Sequence, residues 1–580
     1  MVRIYWISLV IILVGLAQFF LSTDNLVEIA ITLFMVSVIL FILYLTRWHP
    51  KFPSTAISHK SEMVLFAVIF VLGIFMRIYH IESIPPGLHG DEAWSGIEAV
   101  EILEGRPYTP YSPNVYGQTT MYFYFVAFLF KLLGATPVAI RLVSVVFGIL
   151  AIPALYFFTR KACNAEVALC ASFLLAVSRW HITLSRIGMM IVLGSFFAIL
   201  TFYYLLRALD SKSTRYFILS GIFLSLGLNG YMAFRLVPFV FLLFLCFLLL
   251  RYKEQIADNL KGLTLFFASA LVTITPLALY AVCNWDIFMG RVGAINIFKD
   301  HSFMGSISLL GDNVRASLLM FNYEGSMCPH KNLPGEQMLD PILAMFFVLG
   351  LTLALYKWHN RTNFLLLSWF GVALLPGFLS IPAADSFRTS IVIPPAIVFG
   401  AMAIYWLGDE LRQILSHKRM AAVAIIFLLL SSGVYNYNAY FHEQANHPGV
   451  WHDFHYVPVE VAYYHKQLGE EYHMYLLSNW FYYQYESLRF LAPGLSGEDF
   501  FYKLGEYTPR LDRLPLKENM DKHAIFVVLP YYNDALPVLS EYYPNGTLKV
   551  HEGGPRNEVM FTSYVIPKDE LRNCSTNRSL

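Results

Sequence analysis

Long apolar runs separated by short polar segments fill residues 1–440 of the chain. A bilayer core about 30 Å thick requires roughly 20 apolar residues as helix, because a helix satisfies its backbone polar groups internally. The pattern therefore predicts about thirteen transmembrane helices. They are expected near residues 4–21, 26–46, 63–79, 137–158, 165–185, 188–207, 216–230, 236–250, 262–283, 341–356, 363–380, 391–407 and 421–438.

The segment 117–134 is apolar as well, but counting it as a full span would invert every later loop. We therefore expect an interfacial or re-entrant helix there. After residue 439 short apolar runs such as AIFVVLPYY alternate with turn signals such as PNG and GGP. This alternation predicts a small α/β domain over residues 439–580.

The short loops between the predicted spans indicate the orientation of the chain, because cytoplasmic loops are enriched in Lys and Arg. A cytoplasmic N-terminus places the basic clusters near residues 47–60, 160, 207–215, 251–261, 357–361 and 412–419 on one side. The loops 80–136, 284–340 and 381–390 and the C-terminal domain then face outward. We expect an integral protein of the plasma (inner) membrane with an extracytoplasmic C-terminal domain.

Composition supports the membrane assignment, since 57% of residues are hydrophobic and 14% are charged, against about 25% charged in soluble domains. The 41 basic and 40 acidic residues nearly balance, which argues against a nucleic-acid partner. The six cysteines show no metal-site spacing. We therefore expect lipid to surround most of the chain.

Candidate chemistry is concentrated in the first outer loop, where Asp91 and Glu92 follow the turn at residues 85–87 and His89. One interpretation is a helix N-cap, because Asp before a helix accepts hydrogen bonds from its first turn. The other is functional, because such carboxylates can act as a general base or hold a divalent cation. Both interpretations stay open at this point.

Three arginines, Arg186, Arg235 and Arg388, lie near the outer ends of predicted spans. Interfacial arginines commonly anchor helices by extending their charge into water. Guanidinium groups also bind phosphate oxygens in a bidentate manner, so these residues are candidate ligands of a lipid-linked phosphate.

The second outer loop contains His330, Lys331 and Asn332 before a Pro-Gly turn at residues 334–335. Long loops next to a rigid scaffold often carry function. We therefore assign these three residues, with His89 of the first outer loop, to candidate substrate contacts.

The stretches PGLHGDEAWSGIEA, RLVSVVFGILAIPALYFFTRK, HITLSRIGMM and KNLPGEQMLDP together resemble the GT-C superfamily of glycosyltransferases. More closely they resemble family 39, which includes protein O-mannosyltransferases and the aminoarabinose transferase of lipid A. The resemblance covers residues 63–400. Tyr116-Gly117-Gln118 stand where the aminoarabinose transferases carry Lys-Pro-Pro, so the chain departs from that branch.

This resemblance implies two additional N-terminal helices over 1–62, a GT-C transmembrane catalytic domain over 63–438, and the extracytoplasmic α/β domain over 439–580. It implies an inverting glycosyltransferase of cell-envelope glycosylation. The donor would be a polyprenyl-phosphate sugar, and the acceptor a protein, lipid or glycan on the outer face. A divalent metal is used by some members of the superfamily and stays open.

The same resemblance implies roles for individual residues. Asp91 would be the base or electrostatic partner of the acceptor, with Glu92 as its companion, and the pair is the candidate site for a metal. Arg186 and Arg388 would bind the donor phosphate.

Two other functions remain as alternatives, a transporter or flippase of a lipid-linked substrate and a membrane scaffold without catalysis. A transporter would show charges near the bilayer midplane and repeated, interrupted helices. Most ionisable residues lie at span ends instead, and the two halves of the chain differ in hydropathy.

Overall fold

The computed structural model describes residues 2–23, 26–48, 57–114, 117–299, 302–414, 418–501 and 508–577. These residues form two compact units. The first, here called the helical unit, comprises Met1–Ile81, Pro107–Phe125 and Arg141–Gln444. The second, here called the sheet unit, comprises Glu82–Arg106, Val126–Ile140 and Ala445–Leu580.

Helices make up most of the described chain. In chain order the α-helices are α1 Val2–Ser22, α2 Val27–Trp48, α3 His59–Ile78, α4 Gly90–Leu103, α5 Met121–Leu133, α6 Pro137–Ala162, α7 Ala165–Val177, α8 Arg179–Arg186, α9 Ile191–Ser211, α10 Thr214–Leu228, α11 Val237–Arg251, α12 Lys253–Asp258, α13 Leu260–Cys283, α14 Trp285–Ile295, α15 Phe303–Leu319, α16 Pro341–Tyr356, α17 Arg361–Phe378, α18 Ile393–Ile414, α19 Lys418–Asn438, α20 Pro448–Asp453, α21 Tyr456–Leu468, α22 Glu486–Leu491, α23 Ala535–Tyr542 and α24 Lys568–Asn577.

Twelve of the thirteen predicted spans each coincide with one helix, and the span expected at 165–185 coincides with the pair α7 and α8. Among the described residues, nine helices are long and apolar enough to cross a membrane. A tenth is added if α7 and α8, which are bent by 56° relative to each other, form one span. The predicted number was higher because it included short helices such as α10 and α16. With 15 and 16 residues, these two rise only about 22 and 24 Å at 1.5 Å per residue.

The segment 117–134 contains α5, which has 13 residues and is also shorter than a span. This length is consistent with the expected interfacial or re-entrant helix. The described helices confirm the predicted class, an α-helical polytopic membrane protein.

The N-terminal helix α1 belongs to the helical unit through buried polar contacts as well as apolar ones. Gln18 donates to the backbone oxygen of Asn322 at 2.8 Å and to the side chain of Gln337 at 2.6 Å. Arg3 pairs with the buried carboxylate of Glu410 at 2.6 Å. Polar groups buried among apolar helices require such partners, so these bonds fix the position of α1.

Small residues allow close approach of helices in the helical unit. A Cβ atom added to Gly350 of α16 would lie 1.8 Å from the backbone oxygen of Phe399 in α18. Without a side chain at Gly350 the two backbones pack directly, as is typical of membrane helices.

The sheet unit contains a five-stranded mixed sheet formed by β3 Tyr472–Leu477, β4 Ser496–Asp499, β5 His523–Val528, β6 Thr547–Gly553 and β7 Glu558–Ile566. Its strand order is β4-β3-β5-β7-β6. Strand β3 is parallel to β4 and β5, whereas β7 is antiparallel to β5 and β6. A separate two-stranded pair, β1 Tyr111–Ser112 and β2 Gln118–Thr119, lies in the helical unit.

Strands β3 and β5 are almost entirely buried, as central strands covered on both faces usually are. Aromatic residues including Tyr475, Phe500, Phe526 and Tyr543 form a core with them. The predicted small C-terminal α/β region is therefore confirmed.

The close packing of α16 and α18 yields the first testable prediction. Gly350→Ala should lower the thermal stability of the detergent-solubilised protein by about 1–3 kcal/mol, because the added methyl group has no space. Gly371→Ala in α17 is the matched control. Nothing lies within 4 Å of a Cβ atom at Gly371, and alanine favours helix by about 1 kcal/mol. Equal melting temperatures for both variants would contradict direct backbone packing at Gly350.

Candidate functional site

The chain segment that leads into α4 is held in place within the sheet unit. The Leu88 amide donates to the backbone oxygen of Phe454 at 2.7 Å, and the Ser487 hydroxyl donates to the backbone oxygen of Leu88 at 3.0 Å. Gly87 has a φ of +59°, and a Cβ atom there would lie 2.2 Å from the Phe454 oxygen. Glycine is therefore required at this turn, which sets the direction in which α4 begins.

The first turn of α4 separates the roles of the two adjacent acids. His89 is the N-cap residue, and its Nδ1 accepts a hydrogen bond from the Asp91 amide at 3.1 Å. The Glu92 carboxylate accepts from the His89 amide at 3.0 Å, which completes a capping box. Glu92 is fully buried, whereas Asp91 is partly exposed.

Two groups from the C-terminal part of the chain lie beside this turn. The His455 ring stacks on the His89 ring with centroids 5.3 Å apart, and the Tyr485 hydroxyl lies 3.0 Å from His455 Nε2. Burial raises the pKa of Tyr485, and nearby carboxylates, including Asp91, raise it further. Tyr485 is thus a neutral phenol at physiological pH, next to the helix end that carries Asp91.

The other acids of α4 have structural partners. Glu98 is completely buried and pairs with Arg106 at 2.5 Å, and Glu101 pairs with Arg106 at 3.0 Å. Arg489 lies 3.5 Å from Glu101. Glu98 therefore has a structural role, because its carboxylate is buried against a cation.

In the helical unit, Lys331 and Arg388 meet at one buried aspartate. Lys331 Nζ lies 2.8 Å from Asp385 Oδ2, and Arg388 Nε lies 3.5 Å from the same oxygen. The other oxygen of Asp385 accepts from the backbone amides of Phe387 and Arg388, both at 3.0 Å. Burial alone would raise the pKa of Asp385, but the two cations hold it below its usual range.

The remaining residues predicted in the second outer loop take different roles. The ring of His330 lies 5.6 Å from that of Phe387, and Lys331 Nζ lies 5.3 Å from the same ring. Asn332 is buried and accepts from the Arg179 guanidinium at 2.5 Å. Asn332 therefore supports the loop, while Lys331 is partly exposed.

Arg186 has partners other than those of Arg388. It is fully buried, donates to the backbone oxygens of Met76 and Tyr79, and lies over the rings of Tyr440 and Phe441 at 5.5 and 5.1 Å.

Arg235 contacts yet another segment. Its guanidinium carbon lies 3.8 Å from the centroid of the Phe288 ring, and it donates to the Phe288 oxygen at 3.3 Å. The structure thus joins Lys331 and Arg388 at Asp385, and gives Arg186 and Arg235 separate surroundings.

Three residues of these clusters were not predicted from the sequence. Asp385 stands three positions before Arg388, a spacing that favours an ion pair and is readable from ADSFRTS. His455 and Tyr485 gave no local signal, because they reach α4 only through folding of the C-terminal region. Tyr116, which belongs to the departure from the Lys-Pro-Pro motif, lies outside the described residues.

The ion pair at Asp385 predicts a pH-dependent stability. The pKa of Asp385 is lowered on folding, so its stabilising contribution is present above the unfolded pKa of about 4 and is lost as the pH falls through the folded value. Lys331→Met should lower the free energy of unfolding by about 3 kcal/mol at pH 7. This value is near the lower limit for a broken buried pair, because Arg388 stays close to Asp385. Thermal unfolding between pH 7 and pH 3 measures both effects.

Lys212→Met is the control for this experiment, because Lys212 and its partner Asp258 are both exposed. Surface pairs contribute about 0–1 kcal/mol, so this variant should melt like the parent protein. A Lys331→Met variant with unchanged stability at pH 7 would show that Asp385 does not depend on Lys331.

Comparison with known proteins gives one family match. Residues 117–280 match the family described as dolichyl-phosphate-mannose-protein mannosyltransferase. This segment includes α5 to α12 and most of α13, and the match supports the predicted class of enzyme, a glycosyltransferase. No curated protein sequence matches the chain.

Solved structures with a similar fold include ArnT from Cupriavidus metallidurans, in the apo state and bound to undecaprenyl phosphate. Both are 13% identical to this chain with a TM-score of 0.50, and the matches cover 88% of this chain and 99% and 98% of theirs. An Archaeoglobus fulgidus oligosaccharyltransferase tethered with an acceptor peptide is 13% identical with a TM-score of 0.48. That match covers 76% of this chain and 64% of the oligosaccharyltransferase, less than two thirds of its length. The matched segment and the ArnT structures confirm the predicted resemblance, and the chain has the fold of the GT-C glycosyltransferases.

Proposed function

We propose that the chain is an inverting glycosyltransferase that moves a sugar from a polyprenyl-phosphate donor to an acceptor hydroxyl. The observation that carries this proposal is the division of roles at the start of α4. Glu92 is buried as a cap, and Asp91 remains partly exposed beside His89 and Tyr485. The match to a dolichyl-phosphate-mannose-dependent family supports the choice of a lipid-phosphate sugar as donor.

Asp91 acts as the base in this proposal. The acceptor oxygen forms a bond to the anomeric carbon, and its proton passes to the Asp91 carboxylate. The bond between the anomeric carbon and the phosphate oxygen breaks at the same time, and the lipid phosphate leaves with the electron pair. The Asp91 carboxylate lies in the first turn of α4, where the helix N-terminus carries partial positive charge.

Lys331 and Arg388 are the proposed contacts of the donor phosphate. Two cations share the single Asp385 carboxylate, so the trio keeps a net positive charge that suits an anion. ArnT of similar fold was solved with undecaprenyl phosphate, which supports a lipid phosphate as the anion. Arg186 and Arg235, also expected as phosphate ligands, are proposed to hold their own segments through carbonyl and ring contacts.

Asp91 and Glu92 fit poorly as a joint metal site. Glu92 is fully buried and already accepts a hydrogen bond from the His89 amide. A divalent ion at this helix would be held by Asp91 with groups other than Glu92. Such an ion would supply charge to stabilise the leaving phosphate.

The orientation of the chain in the membrane is part of the same proposal. A cytoplasmic N-terminus is supported by the basic residues of the short loops, and it places residues 80–136 and the C-terminal region outside the plasma membrane. We propose that the acceptor is met there, on the extracytoplasmic face, with residues 63–438 as the catalytic membrane domain and residues 1–62 as additional helices.

Asp91→Asn tests the catalytic role directly. The amide keeps the size of the side chain but cannot accept the proton, so the transfer rate should fall by about 10²–10⁴-fold. The measurement is transfer by the purified protein in proteoliposomes, using a panel of radiolabelled polyprenyl-phosphate sugars and membrane acceptors.

Glu104→Gln, at the exposed end of α4, is the matched control and should leave transfer unchanged. Full activity of Asp91→Asn would remove Asp91 from the mechanism. Outward movement of intact donor lipid without sugar transfer would instead support a flippase.

Arg388→Gln tests the donor contact. A charged hydrogen bond contributes about 1.5–3 kcal/mol, so the KM for the donor should rise roughly tenfold or more with a smaller change in kcat. Arg315→Gln removes an exposed arginine from α15 of the same unit and should leave the KM unchanged. Equal donor KM values for the Arg388→Gln variant and the parent protein would exclude the phosphate contact.

A further inference from the structure

The sheet unit contains an open cavity of about 470 Å³ that the proposed chemistry does not use. Four aromatic side chains line it, those of Trp451, Tyr456, Trp480 and Tyr531. Tyr531 is 73% exposed, so its ring is accessible to a ligand from solvent. We call this cavity the aromatic pocket.

Two contacts hold the rings of Trp451 and Tyr456 in fixed orientations. The indole nitrogen of Trp451 donates to the backbone oxygen of Ala445 at 2.8 Å. The ring of Trp451 meets that of Tyr456 edge to face, at 4.5 Å and 74°. Rings held in this way lose little further freedom when a ligand binds.

Trp480 belongs to a different segment of the chain and is held by other contacts. It follows β3 in a turn where the Ser478 hydroxyl oxygen accepts from the amides of Trp480 and Phe481, at 3.4 and 3.2 Å. The ring of His452 lies 4.9 Å from that of Trp480. The pocket is therefore formed before any ligand arrives.

The turn between β6 and β7 forms another wall. Gly554 has a φ of +78°, and a Cβ atom at Gly553 would lie 2.8 Å from Met560 and 3.3 Å from Tyr456. Glycine at these positions lets the backbone approach the rings. Arg556 and Glu558 follow in the same turn and are exposed at the rim.

The aromatic pocket is continuous with the start of α4 through ring contacts inside the sheet unit. Trp480 lies 6.3 Å from His455, and His455 stacks on His89 at 5.3 Å. His89 in turn accepts the hydrogen bond from the Asp91 amide. The pocket thus lies two imidazole rings from the proposed base.

We infer that the aromatic pocket binds a pyranose ring of a saccharide acceptor, an inference that rests on the proposed function. The C–H face of a pyranose is apolar and packs on aromatic rings, while its hydroxyls need donors and acceptors at the edge. The rim supplies both kinds of group in Asn479, Arg556 and Glu558. The volume is in the range of sites that hold small ligands.

The position of the aromatic pocket sets a minimum size for the acceptor. A sugar in the aromatic pocket is separated from Asp91 by His455 and His89, so a different sugar unit must present the hydroxyl that is glycosylated. The acceptor is therefore a glycan or glycolipid with at least two sugar units. A proline-rich peptide is the competing occupant, because such peptides also bind aromatic grooves, but it would leave the charged rim without a function.

Saturation-transfer NMR on the full chain in nanodiscs tests the inference. The probes are the methyl glycosides of glucose, galactose and mannose, the disaccharides cellobiose and lactose, and decaproline as the peptide. We expect transfer to ring protons of at least one saccharide. Tyr531→Ala should weaken its binding about two- to tenfold, since loss of one ring contact has that size. Tyr531 is exposed, so this variant should fold normally.

Tyr108→Ala is the matched control, because Tyr108 is 66% exposed and lies in the helical unit. It should bind like the parent protein. Saccharide binding by a chain that transfers no sugar would sustain the pocket and overturn the proposed function. Sugar transfer without saccharide binding, binding unaffected by Tyr531→Ala, or binding of decaproline alone would overturn the saccharide pocket.

Discussion

Charged groups that leave water must find partners inside the protein, and this requirement organises both units. Arg77 is fully buried and donates to three backbone oxygens, those of Gly73, Leu175 and Ala176. Glu98 is buried against Arg106, and Asp385 against Lys331. An unpaired charge in such places would cost several kcal/mol. These pairings stabilise the buried charges of both units.

The start of α4 shows how the same requirement separates two neighbours of identical charge. Successive helix residues point about 100° apart, so Asp91 and Glu92 cannot face the same surroundings. Glu92 points inward and is stabilised by the His89 amide, whereas Asp91 stays at the surface with its amide bound to His89. The capping role expected of the aspartate therefore falls to His89 and Glu92, and the catalytic role of Asp91 stays a prediction.

A structural feature of this protein can be predicted from the sequence when the interaction that determines it is local in the chain. The span expected at 26–46 is the observed helix Val27–Trp48, because helix formation in lipid requires only a continuous apolar run. Burial of Glu98 and the approach of His455 and Tyr485 to α4 depend on packing between distant segments. No periodic pattern records such contacts, so the acidic pair was found and its neighbours were not.

The two units differ in the chemistry that they provide, and this difference matches the two substrates of the proposed reaction. In the helical unit, the two positive charges of Lys331 and Arg388 exceed the single negative charge of Asp385, and this net positive charge suits an anionic lipid phosphate. In the sheet unit, the neutral phenol of Tyr485 lies near Asp91, and indole and phenol rings line the separate aromatic pocket, which suits an uncharged saccharide. A phosphate would be repelled by Asp91, whereas a sugar hydroxyl would be oriented by it. These charges are consistent with the proposed donor contact in the helical unit and the proposed acceptor contact in the sheet unit.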